Sequence, residues 1–299
     1  MTELGYEAGV ELKTRSQWAY VRIRFLRHRL AVGSLVVLIL IALVGVFASQ
    51  IAPYGYDELD IENASKGPTL EDRHLFGTDQ LGRDYFSRVV FGVRTSLWVA
   101  VFVALVSTVI GTAIGAVAGF YGGKVDNLLM RFTDLVLTVP GLAVLLTASV
   151  FLGSGEPLQI GLILALLFWT TIARIVRGAF LSLREEGFVD AAKAAGASDL
   201  RIIARHMLPN CVGPIIVNAT LAVAAAILVE AALSYLGLGI QPPDPALGRL
   251  INEGQSNGFE LWWLVTFPGL VIVAIALCVN FVGDGLRDAF DPRQRRVRA

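Results

Sequence analysis

The chain has 299 residues, 55% of them apolar and 17% charged, with 25 basic residues balanced by 25 acidic ones and a mean hydropathy of +0.64. Soluble domains carry about 25% charge and disordered chains are poor in apolar residues, so the composition excludes both. The balanced charge argues against a nucleic-acid binder, and two cysteines, Cys211 and Cys278, cannot make a disulfide scaffold.

What remains is an integral membrane protein. A helix needs about 20 apolar residues to cross a bilayer core of about 30 Å. Six stretches meet this, at about 31–52, 97–120, 135–153, 158–176, 211–238 and 262–284. The first follows a basic leader, as a signal-peptide core would, but it is too long for one and reads as an uncleaved span. Basic residues set the orientation. With the N-terminus in the cytoplasm, the inner segments 1–30, 121–134, 177–210 and 285–299 hold 18 lysines and arginines, against 6 in the outer loops 53–96, 154–157 and 239–261. The expectation is an all-α membrane protein of six transmembrane helices with both termini cytoplasmic. It has a cytoplasmic segment 1–30, a first span 31–52, an extracytoplasmic loop 53–96, a five-helix core 97–284 and a tail 285–299. The two cysteines then lie near the cytoplasmic face as small apolar filler.

In the second span Ser107, Gly111, Gly115 and Gly119 recur at intervals of four on one face, the spacing that lets helix backbones approach closely in lipid. They predict burial against a neighbour, within the subunit or across an interface. In the outer loop, Asp79 with Arg83 and Asp84 with Arg88 stand four apart and can pair on a helix turn. Polar residues within the spans are few. Asn218 and Glu230 are candidates for a polar pathway, although Glu230 can equally satisfy backbone groups where its helix breaks near Ser234, Gly237 and Gly239. Pro140 and Pro268 predict kinks. His28 and His74 read as ordinary interfacial residues, and His206 as packing or hydrogen bonding near the inner loop.

The most informative segment is the inner loop of 177–210, whose residues 186–210 read EGFVDAAKAAGASDLRIIARHMLPN. An alanine-rich helix ends at Gly196, a residue suited to the left-handed position after a helix. Ser198 is placed as the N-cap of a second helix, with Asp199 in its first turn. That helix runs through Leu208 and is closed by Pro209. Small residues at the elbow make a rigid knob with little side chain in a partner's way.

This loop resembles the EAA motif of permease subunits in ATP-binding-cassette importers. Asp190, Ala191 and Ala192 open the motif, Gly196 follows at the family's spacing, and Leu208-Pro209 close it. Asp190 stands in for glutamate and His206 for isoleucine. Residues 74–88 (HLFGTDQLGRDYFSR), 233–245 (LSYLGLGIQPPDP) and 283–293 (GDGLRDAFDPR) are similar to segments of the C-type permease subunits of dipeptide and oligopeptide importers, with Leu247 where that family has tryptophan.

The resemblance implies a type I ABC importer-like fold in a bacterial cytoplasmic membrane. It implies a heterodimer with a sister permease, one or two ATPase subunits and an extracytoplasmic peptide-binding protein. Coupling to the ATPases is assigned to Phe188, Asp190, Ala191, Ala192, Ala195, Gly196, Ala197, Ser198, Asp199 and Leu200. ATP and magnesium are bound by the partner ATPases, with no cofactor in this chain. The residues agree, since Gly123-Lys124 lacks the surroundings of a phosphate-binding loop and no clustered metal ligands or catalytic pair are evident. The alternatives are a stand-alone secondary transporter or channel, for which no internal repeat is seen, and an importer of the same family for nickel chelates, glutathione, haem or oligosaccharides.

Overall fold

The computed structural model describes residues 17–152, 155–256 and 260–291; the first 16 residues and the last part of the tail, 292–299, lie outside the described residues. Among the described residues the regular elements are helices: α1 (Gln17–Arg27), α2 (Arg29–Val46), α3 (Ala48–Ile51), α4 (Tyr85–Tyr121), α5 (Gly123–Thr138), α6 (Gly141–Leu152), α7 (Pro157–Arg184), α8 (Gly187–Ala194), α9 (Asp199–Arg201), α10 (Val212–Tyr235), α11 (Leu247–Gln255) and α12 (Trp263–Phe290). Five of them, α2, α4, α7, α10 and α12, are long and apolar enough to cross a membrane.

Two of the six expected spans differ most from the sequence reading, and the first divides at Phe47 into α2 and α3. The stretch at 135–153 is not one helix but the end of α5 and all of α6, separated at Val139, whose backbone is extended (ψ 128°). Proline disfavours the helical conformation in the residue before it, so Pro140 produces a break where a kink was expected. At 16 and 12 residues, the pieces reach about 24 and 18 Å, short of the bilayer core. The second span begins at Tyr85, not near residue 97, and α4 runs for 37 residues, about 55 Å. Asp84 starts it: its carboxylate accepts the Ser87 N–H at 2.7 Å, a side-chain N-cap.

The molecule is built on α4 and α7. Ser107, Gly111, Gly115 and Gly119 are all buried, and the three glycines face α7. A Cβ on Gly111 would lie 2.6 Å from the Trp169 carbonyl, and one on Gly119 would lie 2.5 Å from the Phe180 Cβ. Only the absence of side chains allows the two backbones this close. α10 packs on α4 and α12, α2 packs on α12 and α4, and α1 lies on α12.

Pro268 sits inside α12, which continues through it. Its missing N–H would leave the Leu264 carbonyl without a helical partner. The Tyr85 hydroxyl donates to that carbonyl at 2.6 Å, with the Leu250 carbonyl at 3.0 Å. The helix interruption is thereby satisfied from α4, as buried backbone groups in membranes require.

Candidate functional site

The inner loop forms a knob at one end of the bundle. α8 closes with the Gly196 N–H donating to the Lys193 carbonyl at 2.9 Å and the Ala197 N–H to the Ala192 carbonyl at 3.1 Å. This pair is the Schellman arrangement, which needs a left-handed residue between its partners; Gly196 supplies it with φ +77°. Nothing lies within 4 Å of where its Cβ would be, so the elbow is open.

The knob has a buried root and a bare tip. Val189, Ile202 and Met207 are fully buried in one cluster with Phe120, Val176, Phe180 and Cys211 from α4, α7 and the start of α10. Phe188 is 39% and Leu200 75% exposed. Asp190, Ala191, Ala195, Gly196, Ser198 and Asp199 are exposed as well, while Ala192 and Ala197 are half-buried. Exposed apolar residues above a rigid apolar root are what a docking surface requires.

Two local expectations are corrected. Ser198 occupies the N-cap position with extended backbone, but its side chain makes no capping bond. Pro209 does not end the second helix; it lies within a continuous helical path. α9 widens into a π-helical turn over Ile202–Met207, tightens into a 3-10 turn over Leu208–Asn210 and joins α10. Proline lacks the N–H that would hold the regular ladder. Instead the Leu208 N–H reaches the Ile203 carbonyl and the Asn210 side chain donates to the His206 carbonyl at 2.6 Å. The knob is therefore continuous with α10.

The two candidate pathway residues of α10, Asn218 and Glu230, stand apart. Asn218 donates to the Pro214 carbonyl at 2.8 Å and borders a cavity of about 860 Å³ with Arg24, Val217, Asp284 and Arg287. Glu230, three helical turns further on, is fully buried. Its Oε1 accepts the Ser234 hydroxyl at 2.7 Å, and Ser96 of α4 faces the same carboxyl. Those serines in turn accept backbone N–H groups from Ile240 at 3.1 Å and Leu247 at 3.3 Å. Glu230 thus stands at the centre of a polar knot tying α4, α10 and the start of α11, and does not join Asn218 at the cavity. Leu247, in the place where tryptophan was expected, is fully buried, and a Cβ on its neighbour Gly248 would run into the Ala231 carbonyl.

The other end of the bundle carries a charged clasp. Asp79 pairs with Arg83 at 2.6 Å. Asp84 and Arg88 do not pair with each other. Asp84, already the cap of α4, meets His74 Nδ1 at 2.9 Å with both side chains buried. His74 is therefore a packed partner and not an interfacial residue; the Tyr54 ring stacks on it at 4.8 Å. Arg88 donates to Asp79 and to Glu253 of α11, each at 2.9 Å, and Arg249 donates to Glu253 at 2.9 Å. Burial alone would raise the Glu253 pKa, but the Arg88 charge and the hydrogen bonds from Arg88 and Arg249 outweigh it and hold the carboxyl below the usual carboxylate range. Glu253 was missed in the sequence because its partner lies 165 residues away.

Among the described residues, no group of three or more histidine, cysteine, aspartate or glutamate side chains is placed to hold a metal ion.

With this geometry in place, relationships to known proteins are informative. Residues 111–296 match the family described as binding-protein-dependent transport system inner membrane component, and residues 16–68 match the N-terminal transmembrane domain of oligopeptide transport permease C. The chain is 42% identical over 286 residues to the oligopeptide transport system permease protein OppC of Escherichia coli K12, covering 96% of this chain and 94% of that one. It is 41% identical to OppC of Mycobacterium tuberculosis H37Rv, over 92% and 94% of the two chains. A putative peptide transport system permease protein of Brucella abortus is 42% identical over 90% of each chain. Among solved structures, an inward-facing MetNI methionine ABC transporter superposes with a TM-score of 0.55 at 19% identity, covering 68% of this chain and 96% of that one. That likeness fixes the fold as that of a type I ABC importer permease. This multi-pass membrane protein belongs to the family of binding-protein-dependent transport system inner membrane components.

Proposed function

We propose that the chain is the permease subunit of an ATP-binding-cassette importer for dipeptides or oligopeptides, and that it forms half of the translocation pore with a sister permease. The observation that carries this reading is the knob, with its bare tip on a root packed into α4, α7 and α10, in a chain whose relatives are named as oligopeptide permeases. α5 and α6 together make the sixth crossing as a broken span, with both termini in the cytoplasm and the knob on the cytoplasmic side. The membrane is the bacterial cytoplasmic membrane. One or two ATPase subunits bind ATP and magnesium, and a peptide-binding protein delivers substrate on the outer side. The chain itself is not an enzyme.

Coupling runs through rigid contact. ATP draws the two ATPases together, and each moves the knob docked on it through Phe188, Ala195, Gly196 and Leu200. The knob is continuous with α10 and its root packs on α7, so both helices tilt with it. The pore then turns from inward-facing to outward-facing, with Asn218 beside its inner mouth. Hydrolysis reverses the motion. Glu230 and the clasp around Glu253 hold the outer ends of α4, α10 and α11 as one unit while this happens. The test is uptake of a labelled peptide mixture in cells carrying Gly196→Val, with the level of the membrane-inserted chain measured alongside. Normal uptake at normal level would overturn the assignment of the knob.

A further inference from the structure

Helix α1 divides its surface in two. Val21, Arg24 and Phe25 turn towards α12 and are half-buried. The Arg24 guanidinium donates to the Asp291 carbonyl at 2.8 Å, and the Trp18 ring sits edge-on to Phe290 at 6.0 Å. Phe25 lies beside Gly285, where a Cβ would come within 3.3 Å of its ring. The helix is thus fixed to the end of α12.

Its opposite face is partly open. Leu26 is 57% exposed, and at 100° per residue it shares a stripe with Ala19 and Ile23, both half-buried. Arg22 and Arg27 flank that stripe, both exposed, and Trp18 and Tyr20 stand at its margins, 59% and 42% exposed. Arg29 is exposed where α2 begins. No acidic residue lies between Gln17 and Arg29, and Arg22, Arg27 and Arg29 have no ion pair with a described residue. Beyond His28, where the backbone leaves the helix, Leu30 at the start of α2 is 63% exposed, and α2 is the barest of the five candidate spans.

An apolar stripe edged by arginines and bulky aromatics, on a helix that directly precedes a membrane span, fits a leaflet interface. A protein groove would require acidic residues to match the arginines, and would have to form at the very start of a membrane span. Arginine stems lie along the apolar surface while their guanidinium groups reach headgroup phosphates.

From this arrangement we infer that α1 binds anionic phospholipid headgroups of the cytoplasmic leaflet, through Arg22, Arg27 and Arg29 around the Ala19–Ile23–Leu26 stripe. The inference rests on the cytoplasmic N-terminus of the proposed topology. One basic residue near an anionic surface is worth about a fivefold gain in affinity.

The test uses the full-length protein, with whatever subunits accompany it, placed in nanodiscs of equal phosphatidylglycerol and phosphatidylcholine. Lipid that remains bound after extraction is identified by native mass spectrometry. The wild type is expected to retain phosphatidylglycerol in at least about fivefold excess, and the variant R22Q/R27Q/R29Q to lose most of that excess. The control R131Q/R205Q, which neutralises two exposed arginines elsewhere, keeps the wild-type preference. Equal retention by the wild type, or an undiminished preference in the triple variant, would overturn the inference. The readout is lipid and not transport, so such a result leaves the importer reading standing, and loss of the importer reading leaves this measurement interpretable.

Discussion

Gly196→Val isolates the elbow of the knob from everything beneath it. The position has φ +77°, and no heavy atom lies within 4 Å of the point where a Cβ would stand; no clash enters the energetics. What remains is the cost of holding an L-residue in the left-handed region, about 1–2 kcal/mol and at the upper end for a β-branched side chain. The buried root of Val189, Ile202 and Met207 is untouched, so the helices should insert and pack normally. A cost of that size lowers the population of the native elbow by roughly 5- to 30-fold, and the ATPases should dock correspondingly less. The assay compares ATPase co-purification and peptide uptake among wild type, Gly196→Asn and Gly196→Val at matched expression. Asparagine tolerates the left-handed conformation and should retain most function, whereas valine should lose most of it. Equal loss in both variants would refute the conformational reasoning, and equal retention would refute the role of the elbow.

Gly115→Val should lower the midpoint of thermal unfolding in detergent, because its Cβ would meet the Ala173 carbonyl and lie 2.9 Å from the Val176 Cβ. Overpacking against backbone costs more than about 1–3 kcal/mol, and an unchanged midpoint would contradict the α4–α7 contact. Tyr85→Phe should destabilise by about 1–3 kcal/mol, the cost of leaving a buried acceptor unpaired, since it removes the donor to the Leu264 carbonyl; differential scanning fluorimetry reads it. Glu253 predicts a pH dependence. Its folded carboxyl titrates below the unfolded one, so its contribution is complete above the unfolded value of about 4.3 and fades as pH falls through the depressed folded value. Thermal scans from pH 7 to pH 3 should show a smaller acid loss in Glu253→Gln than in the wild type, and parallel curves would refute the clasp.

The sequence made the apolar stretches legible, because twenty consecutive apolar residues leave a helix few alternatives in lipid. Stretches 31–52, 158–176, 211–238 and 262–284 correspond to α2 with α3, α7, α10 and α12. The start of α4 was hidden because Arg88 and Arg94 made residues 85–96 look like loop, whereas Arg88 is buried against Asp79 and Glu253. Spacing rules pair a residue with its neighbours four away. They found Asp79 with Arg83, wrongly joined Asp84 to Arg88, and had no means to find Glu253. The small-residue face of α4 was visible, but not that α7 covers it, since a periodicity names a face and not its partner. Pro140 and Pro268 carried the same signal and gave opposite outcomes. Tyr85 supplies a donor beside Pro268, while the residue before Pro140 turned extended.

The most direct test of the importer account is purification of the tagged chain from its native membrane in mild detergent, with every accompanying protein identified. The account predicts a sister permease and one or two ATPases in stoichiometric amounts, with a peptide-binding protein recruited on the outer side, and loss of the ATPases in Gly196→Val. A chain that purifies alone or only with copies of itself, and without an ATPase, would contradict it.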